Sequence, residues 1–177
     1  MGIALRRLNC RNEKPSLLIV DSQSVKNSDT GGGAGYDGGK KTKGIKRHVF
    51  VDVMGFPYSV GISPANVGDR AGALECLAND CGNKNLQGVK TVLADGGYTG
   101  DDFKSGVKSL LGNKVRVKIA KRNELHTFKV IPKRWIVERS FAWLGKSRRL
   151  SKNYERLFNT SKQFILLSFL SLALNRF

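Results

Sequence analysis

Acid is scarce in this sequence beside base. Fourteen Asp and Glu stand against thirty-one Lys and Arg in 177 residues, giving a net charge of +17 and a pI near 10.2. Such a surface suits a phosphate-rich partner, because cationic side chains gain affinity by releasing counterions condensed on nucleic acid. On charge alone, a solubilising surface or a ribosomal-type structural protein remains open. Cysteine and histidine are also sparse. Cys10, Cys76 and Cys81 form an odd set, and His48 and His126 lie far from them with no zinc-ligand spacing, so the thiols read as reduced, in a reducing cytosol.

Long apolar runs are missing too. Residues 164–174 are apolar apart from Ser168 and Ser171, too short a stretch to span a bilayer, and read as a packing helix; no membrane partner is expected. The N-terminus has no sustained apolar core of the kind a signal peptide needs, and Arg6 stands where a myristoylation signal wants Ser or Thr. There is no internal repeat.

At 40% hydrophobic residues the chain can bury one core and is short for two. Residues 1–15 are polar and basic, end at Pro15, and read as an N-terminal tail or linker; 16–177 read as the domain. Apolar, β-branched runs predict strands at 16–24, 45–53, 58–62, 87–94 and 115–120, with a Gly/Lys/Asp loop over 27–44. Helices are expected over 69–79, with Asp69 as N-cap, and over 101–111, 133–149 and 161–176. That order suits an α/β fold: a mixed five-stranded sheet flanked by helices.

Three carboxylates stand out. Asp21 follows Leu-Leu-Ile-Val, Asp95 follows Thr-Val-Leu-Ala and precedes Gly-Gly, and Glu138 lies in Arg-Trp-Ile-Val-Glu-Arg-Ser-Phe-Ala-Trp-Leu. An ionised carboxylate is costly to hold beside a core, so three of them in a cationic chain suggest a multivalent cation and a polyanionic substrate. Each also has a plainer reading: a strand-end turn for Asp21, an Asp-Gly-Gly turn for Asp95, and a surface ion pair with Arg134 for Glu138, which sits beside the Val137, Phe141, Leu144 stripe. Competing motifs fail on context. Gly33-Ala34-Gly35-Tyr36-Asp37-Gly38 follows no strand and opens no helix, Gly39-Lys40 lacks the following Ser or Thr of a phosphate loop, and neither histidine has a nucleophile beside it.

Four ordered blocks, Ile-Val-Asp-Ser-Gln-Ser-Val-Lys, Lys-Gly-Ile-Lys-Arg-His-Val-Phe-Val-Asp, Leu-Ala-Asp-Gly-Gly-Tyr-Thr-Gly and the Glu138 segment, resemble the catalytic domain of DDE-type bacterial insertion-sequence transposases of the insertion-sequence-five group. The resemblance covers 16–177. It implies a ribonuclease H-like fold in which Asp21, Asp95 and Glu138 bind two Mg2+ ions, with Mn2+ as a substitute, to nick a transposon end and transfer its 3′ strand into target DNA. A noncatalytic DNA-binding fragment and a stand-alone nuclease on the same fold are the alternatives.

Such transposases carry a Tyr, Arg, Glu, Lys signature on the late helix. Arg134 and Glu138 match it, whereas Ile131 and Gly145 occupy the Tyr and Lys positions, with Lys146 and Arg149 as substitutes for the lysine. The resemblance thereby points to Arg134, Lys146 and Arg149 as DNA contacts. The basic segment Lys40, Lys41, Lys43, Lys46, Arg47 and His48 suits the flanking DNA backbone or a solvated face, and Trp135 and Trp143 suit base stacking or the core. Relatives usually carry a DNA-recognition region ahead of this domain. The resemblance therefore also implies a downstream-frame or truncated product, an upstream-frame DNA-recognition partner, a homodimer that handles two ends, and a bacterial cytoplasm, at the nucleoid.

Overall fold

The computed structural model describes residues 2–80, 82–120 and 133–175. The expected polar segment at 123–127, His126, Ile131, Cys81 and Arg176 lie outside the described residues.

The apolar run ahead of Asp21 forms the first half of β1 (Leu17–Lys26). A hairpin of β2 (Gly35–Asp37) and β3 (Thr42–Val51) follows, then β4 (Pro57–Pro64), β5 (Thr91–Asp95) and β6 (Arg116–Ala120). β3 runs antiparallel to β1 and, on its other edge, to β2 and β4, whereas β1, β5 and β6 are parallel. The sheet therefore has six strands rather than five. The sixth, β2, lies within the segment 27–44 that composition marks as loop, and it is stitched to β3 through Gly35 opposite Gly44 and Asp37 opposite Thr42.

Alternation along the central strands divides the core in two, because successive side chains leave opposite faces of a sheet. Ile19, Val49 and Val51 pack with helices α4 (Trp135–Gly145) and α5 (Phe158–Leu174). Leu18, Val20, Phe50 and Val92 pack on the other face with α2 (Asp69–Asn79) and α3 (Asp101–Leu111). Glycine lets α2 come close: a Cβ on Gly72 would sit 2.1 Å from His48 Nε2. Burial on both faces explains why the strands read as nearly continuous apolar runs.

Several local expectations shift. Residues Gly2–Leu8, read as tail, form helix α1; its Leu5 is in the α4/α5 core, and Arg6 Nη1 donates to Asp52 Oδ2 at 2.7 Å with both side chains buried. Asp52 is held from its other side by the Met54 and Phe56 amides, which donate to Oδ1. Asp69 is the first residue of α2 rather than its cap: Gly68 precedes it, and the Asp69 carboxylate instead binds Lys46 Nζ at 2.8 Å. The helix expected over 133–149 stops at Gly145 and resumes as a 3-10 turn, Arg148–Leu150, while α5 begins ahead of Ser161, at Phe158.

Candidate active site

The register of the parallel pair places the two aspartates. Leu17, Leu18 and Ile19 of β1 stand opposite Thr91, Val92 and Leu93 of β5, and the same register carried on brings Asp95 level with Asp21. By alternation Asp21 shares the face of Ile19, and Asp95 that of Leu93, the side covered by α4. Glu138 stands on α4. All three carboxylates thus belong to one side of the sheet, at the end where β5 stops.

Each carboxylate has a distinct environment. Asp21 Oδ1 accepts from the Ser22 amide at 2.8 Å. Burial pushes its carboxyl up from 3.8 to about 6; the Ser22 amide opposes this, the charge of Asp95 adds to it, and Arg134 and Lys40 counter. Asp95 Oδ1 accepts from the Gly97 amide at 2.9 Å, capping the 3-10 turn Gly96–Tyr98, while Oδ2 lies 3.3 Å from Arg134 Nη2. Arg134 Nε lies 3.5 Å from Glu138 Oε1, and the Glu138 side chain is 57% exposed. Arg134 therefore spans the second and third carboxylates. Among the described residues no group of three or more His, Cys, Asp or Glu side chains is drawn close enough to hold a metal ion.

The donor set nevertheless fits a hard divalent cation. It offers carboxylate oxygens, the ligands such ions prefer. Its most buried member keeps its proton up to about pH 6, and above that its charge is penalised by desolvation and by a like charge, a penalty that a cation relieves and that Arg134 relieves in part.

Of the cations expected at DNA, Lys40, Lys41, Lys43 and Lys146 are exposed, and Lys40 Nζ donates to Ser22 O at 3.2 Å, next to Asp21. Three others are turned inward, a correction to the sequence reading. Lys46 lies between Asp69 and Asp37. Arg47 donates to Leu150 O at 2.9 Å, and burial lowers its guanidinium to about 10. His48 is 1% exposed, bonds Ser63 Oγ through Nε2 at 2.9 Å, and is lowered to about 4 by burial. The run Lys-Arg-His looks like a basic patch, yet it occupies the middle of β3 between two covered faces. Arg149 is exposed but engaged, bonded to Glu155 Oε1 at 2.7 Å and set over the Phe164 ring at 4.9 Å. Trp143 is in the core as expected, whereas Trp135 is 47% exposed; the Arg139 guanidinium lies 4.6 Å from both ring centroids.

Tyr98, in the Asp-Gly-Gly-Tyr block, packs on the other face of the sheet, in the core with α2 and α3. It is 1% exposed, and burial, followed by the charge of Asp21, holds its phenol well above the usual range.

Comparison with known proteins identifies the family. The family model described as the transposase DDE domain matches residues 12–174. A Burkholderia cepacia protein classed as a transposase for insertion sequence element IS402 is 30% identical over 129 residues, which cover 70% of this chain and 60% of that protein. The chain thus spans about 60% of the length of this relative. Among solved structures, a chain of the simian T-cell lymphotropic virus intasome in complex with PP2A regulatory subunit B56 gamma is similar with a TM-score of 0.55 and 17% identity, covering 88% of this chain and 48% of that one. At that identity the likeness concerns fold alone, and the fold is ribonuclease H-like: a mixed sheet between helical layers. A domain model spanning nearly the whole chain, met by two aspartates level on adjacent parallel strands, places this protein in the DDE family of insertion-sequence transposases.

Proposed function

We propose that this chain is the catalytic domain of a transposase that cuts DNA at insertion-sequence ends and transfers the freed strand, using Asp21, Asp95 and Glu138. The observation that carries the reading is the levelling of Asp21 and Asp95 on β1 and β5, with burial and mutual repulsion lifting the Asp21 carboxyl to about 6. Such a pair is costly without a cation and suited to holding one. Two Mg2+ ions, or Mn2+ in their place, would supply Lewis acidity and an activated water or hydroxyl when bound by these carboxylates.

The chain's own residues do the rest. Asp21 and Asp95 provide fixed oxygen donors, each oriented by a backbone amide. Arg134 keeps Glu138 and Asp95 on one side chain's reach and is placed to meet a phosphate when Glu138 turns to the metal side. Lys146, with Lys40, Lys41 and Lys43 on the β2–β3 hairpin, offers exposed cations to the flanking DNA backbone. Arg149 contributes less, because Glu155 neutralises it. Pairing of two copies at two DNA ends and recognition of those ends by an upstream-frame partner belong to the same proposal, as does a cytoplasmic, nucleoid-associated location. Among the described residues no helix is long and apolar enough to cross a membrane.

The ion pair of Glu138 with Arg134 favours a second reading, a DNA-binding domain without catalysis. One assay separates the readings, with labelled insertion-sequence-end DNA incubated with the chain, alone and fused to its upstream partner, with Mg2+ or Mn2+. Cleavage with joining, reduced more than about 100-fold by Asp95→Asn or Glu138→Gln, supports the transposase. Cleavage without joining indicates a nuclease. Binding indifferent to these substitutions, with no cleavage, overturns the catalytic reading.

A further inference from the structure

A cavity of about 540 Å3 opens between the β2–β3 hairpin and the loop joining β4 to α2. It lies within the ~300–1,000 Å3 range of small-molecule sites. Tyr36, Asp37, Lys40, Lys46, Asn66 and Asp69 form its walls.

Its interior sets one ammonium, Lys46, against two carboxylates, Asp37 and Asp69. Lys46 Nζ meets Val67 O at 2.9 Å, Asp69 Oδ1 at 2.8 Å and Asp37 Oδ2 at 3.4 Å, so all three ammonium protons have partners. Asp37 is satisfied as well: Oδ2 accepts from Ser24 Oγ at 2.6 Å, and Oδ1 accepts from the Gly39 and Lys40 amides. A phosphate would find no free cation inside. The free cations are outside, on the hairpin, where Lys41 and Lys43 are exposed.

What the cavity offers is planar and polar. Tyr36 is 58% exposed on the wall. Asn66, which presents both a donor and an acceptor, is set by close packing against Gly35, where a Cβ would lie 2.1 Å from Oδ1. A net-anionic, hydrogen-bonding interior with no free cation, an aromatic wall and a cationic rim divides a nucleotide in two: base inside, phosphate at the rim.

The cavity lies on the face of the sheet opposite the carboxylates, near an edge of β1. β5 ends at Asp95 while β1 runs on to Lys26, so beyond Asp21 the β5-side edge of β1 has no strand beside it among the described residues. By alternation Ser22 and Ser24 face away from the side of Asp21, and Ser24 reaches Asp37 in the cavity wall. Lys40, bonded to Ser22 O, stands between the two places.

We propose that this cavity receives one unpaired nucleobase of the DNA strand whose phosphate lies at Asp21, stacked on Tyr36 and hydrogen-bonded by Asn66. The proposal rests on DNA being the substrate, and its test separates the two. Binding of a blunt duplex and of the same duplex with a short unpaired overhang is measured by fluorescence anisotropy without divalent ions, with 2-aminopurine in the overhang as a second reporter. The wild-type chain should prefer the overhang and quench the 2-aminopurine. Tyr36→Ala should weaken overhang binding by about 5- to 150-fold, the range that base–aromatic stacking spans, and leave the blunt duplex unchanged. Asn66→Leu should reduce the overhang preference in the same way, whereas Lys41→Ala should weaken both DNAs and flatten their salt dependence. Wild-type binding of both DNAs with no preference, or a Tyr36→Ala variant that keeps the preference, overturns the cavity and spares the DNA reading. Failure of the wild-type chain to bind either DNA overturns both.

Discussion

Replacing Asp21 by Asn should stabilise the metal-free protein while removing its activity. The carboxyl is shifted from 3.8 to about 6, chiefly by burial. At about 1.36 kcal/mol per pKa unit, the ionised form therefore costs the native state about 3 kcal/mol near neutral pH. The sign follows from proton binding: the native state holds the proton up to a higher pH than the unfolded chain does. The penalty is fully present above about pH 6, falls to about 1.6 kcal/mol near pH 5, and vanishes below the unfolded value of 3.8. Asn has the same shape and keeps an oxygen to accept from the Ser22 amide, so it removes the charge without removing that bond. For a chain of this size the gain corresponds to about 6–12 °C in Tm. Thermal unfolding in a chelating buffer, for wild type and Asp21→Asn across about pH 5–8, reads the difference directly, since the rest of the titrating chain is common to both. Added Mg2+ should narrow the gap by stabilising the wild type alone. An Asp21→Asn protein no more stable than wild type near pH 7.5, or a gap that does not shrink on acidification, would refute the placement of Asp21 in a desolvated, like-charged site.

Other consequences follow from buried charge elsewhere. Arg6→Met leaves the Asp52 carboxylate buried without its cation and should cost about 3–5 kcal/mol in urea unfolding, whereas Arg6→Met with Asp52→Asn should cost less. His48, lowered to about 4 by burial, is neutral in the native state but titrates near 6.5 when unfolded. Its contribution is complete above about pH 6.5 and is lost as pH falls toward 4, costing up to about 3 kcal/mol, and NMR titration of the native chain should show no His48 transition between about pH 5 and 8. Gly72→Ala should destabilise the packing of α2 on β3 by about 1–3 kcal/mol, read by thermal unfolding, because its Cβ would meet the His48 ring.

The sequence by itself determined the strand cores and the helices α2 to α5 to within a few residues, and it singled out three carboxylates, because those signals are local: apolar periodicity, glycine-rich turns, and an acid where a strand disfavours one. It also carried the family, whose blocks lie in order along the chain. It did not show which cations are free. Lys46, Arg47 and His48 read as a basic patch, yet β1 and β4 flank their strand, and α2 and the 3-10 turn at Leu150 cover its faces, so each is spent on an internal partner. Nor did it place Arg6, whose partner Asp52 lies 46 residues away, or assign β2, whose three residues become a strand only through β3. Tertiary structure decided those questions because burial and cross-strand pairing depend on neighbours distant in sequence, which composition and local periodicity do not report. The level pairing of Asp21 with Asp95 is of the same kind: two turn-like aspartates in the sequence become neighbours through the register of two parallel strands.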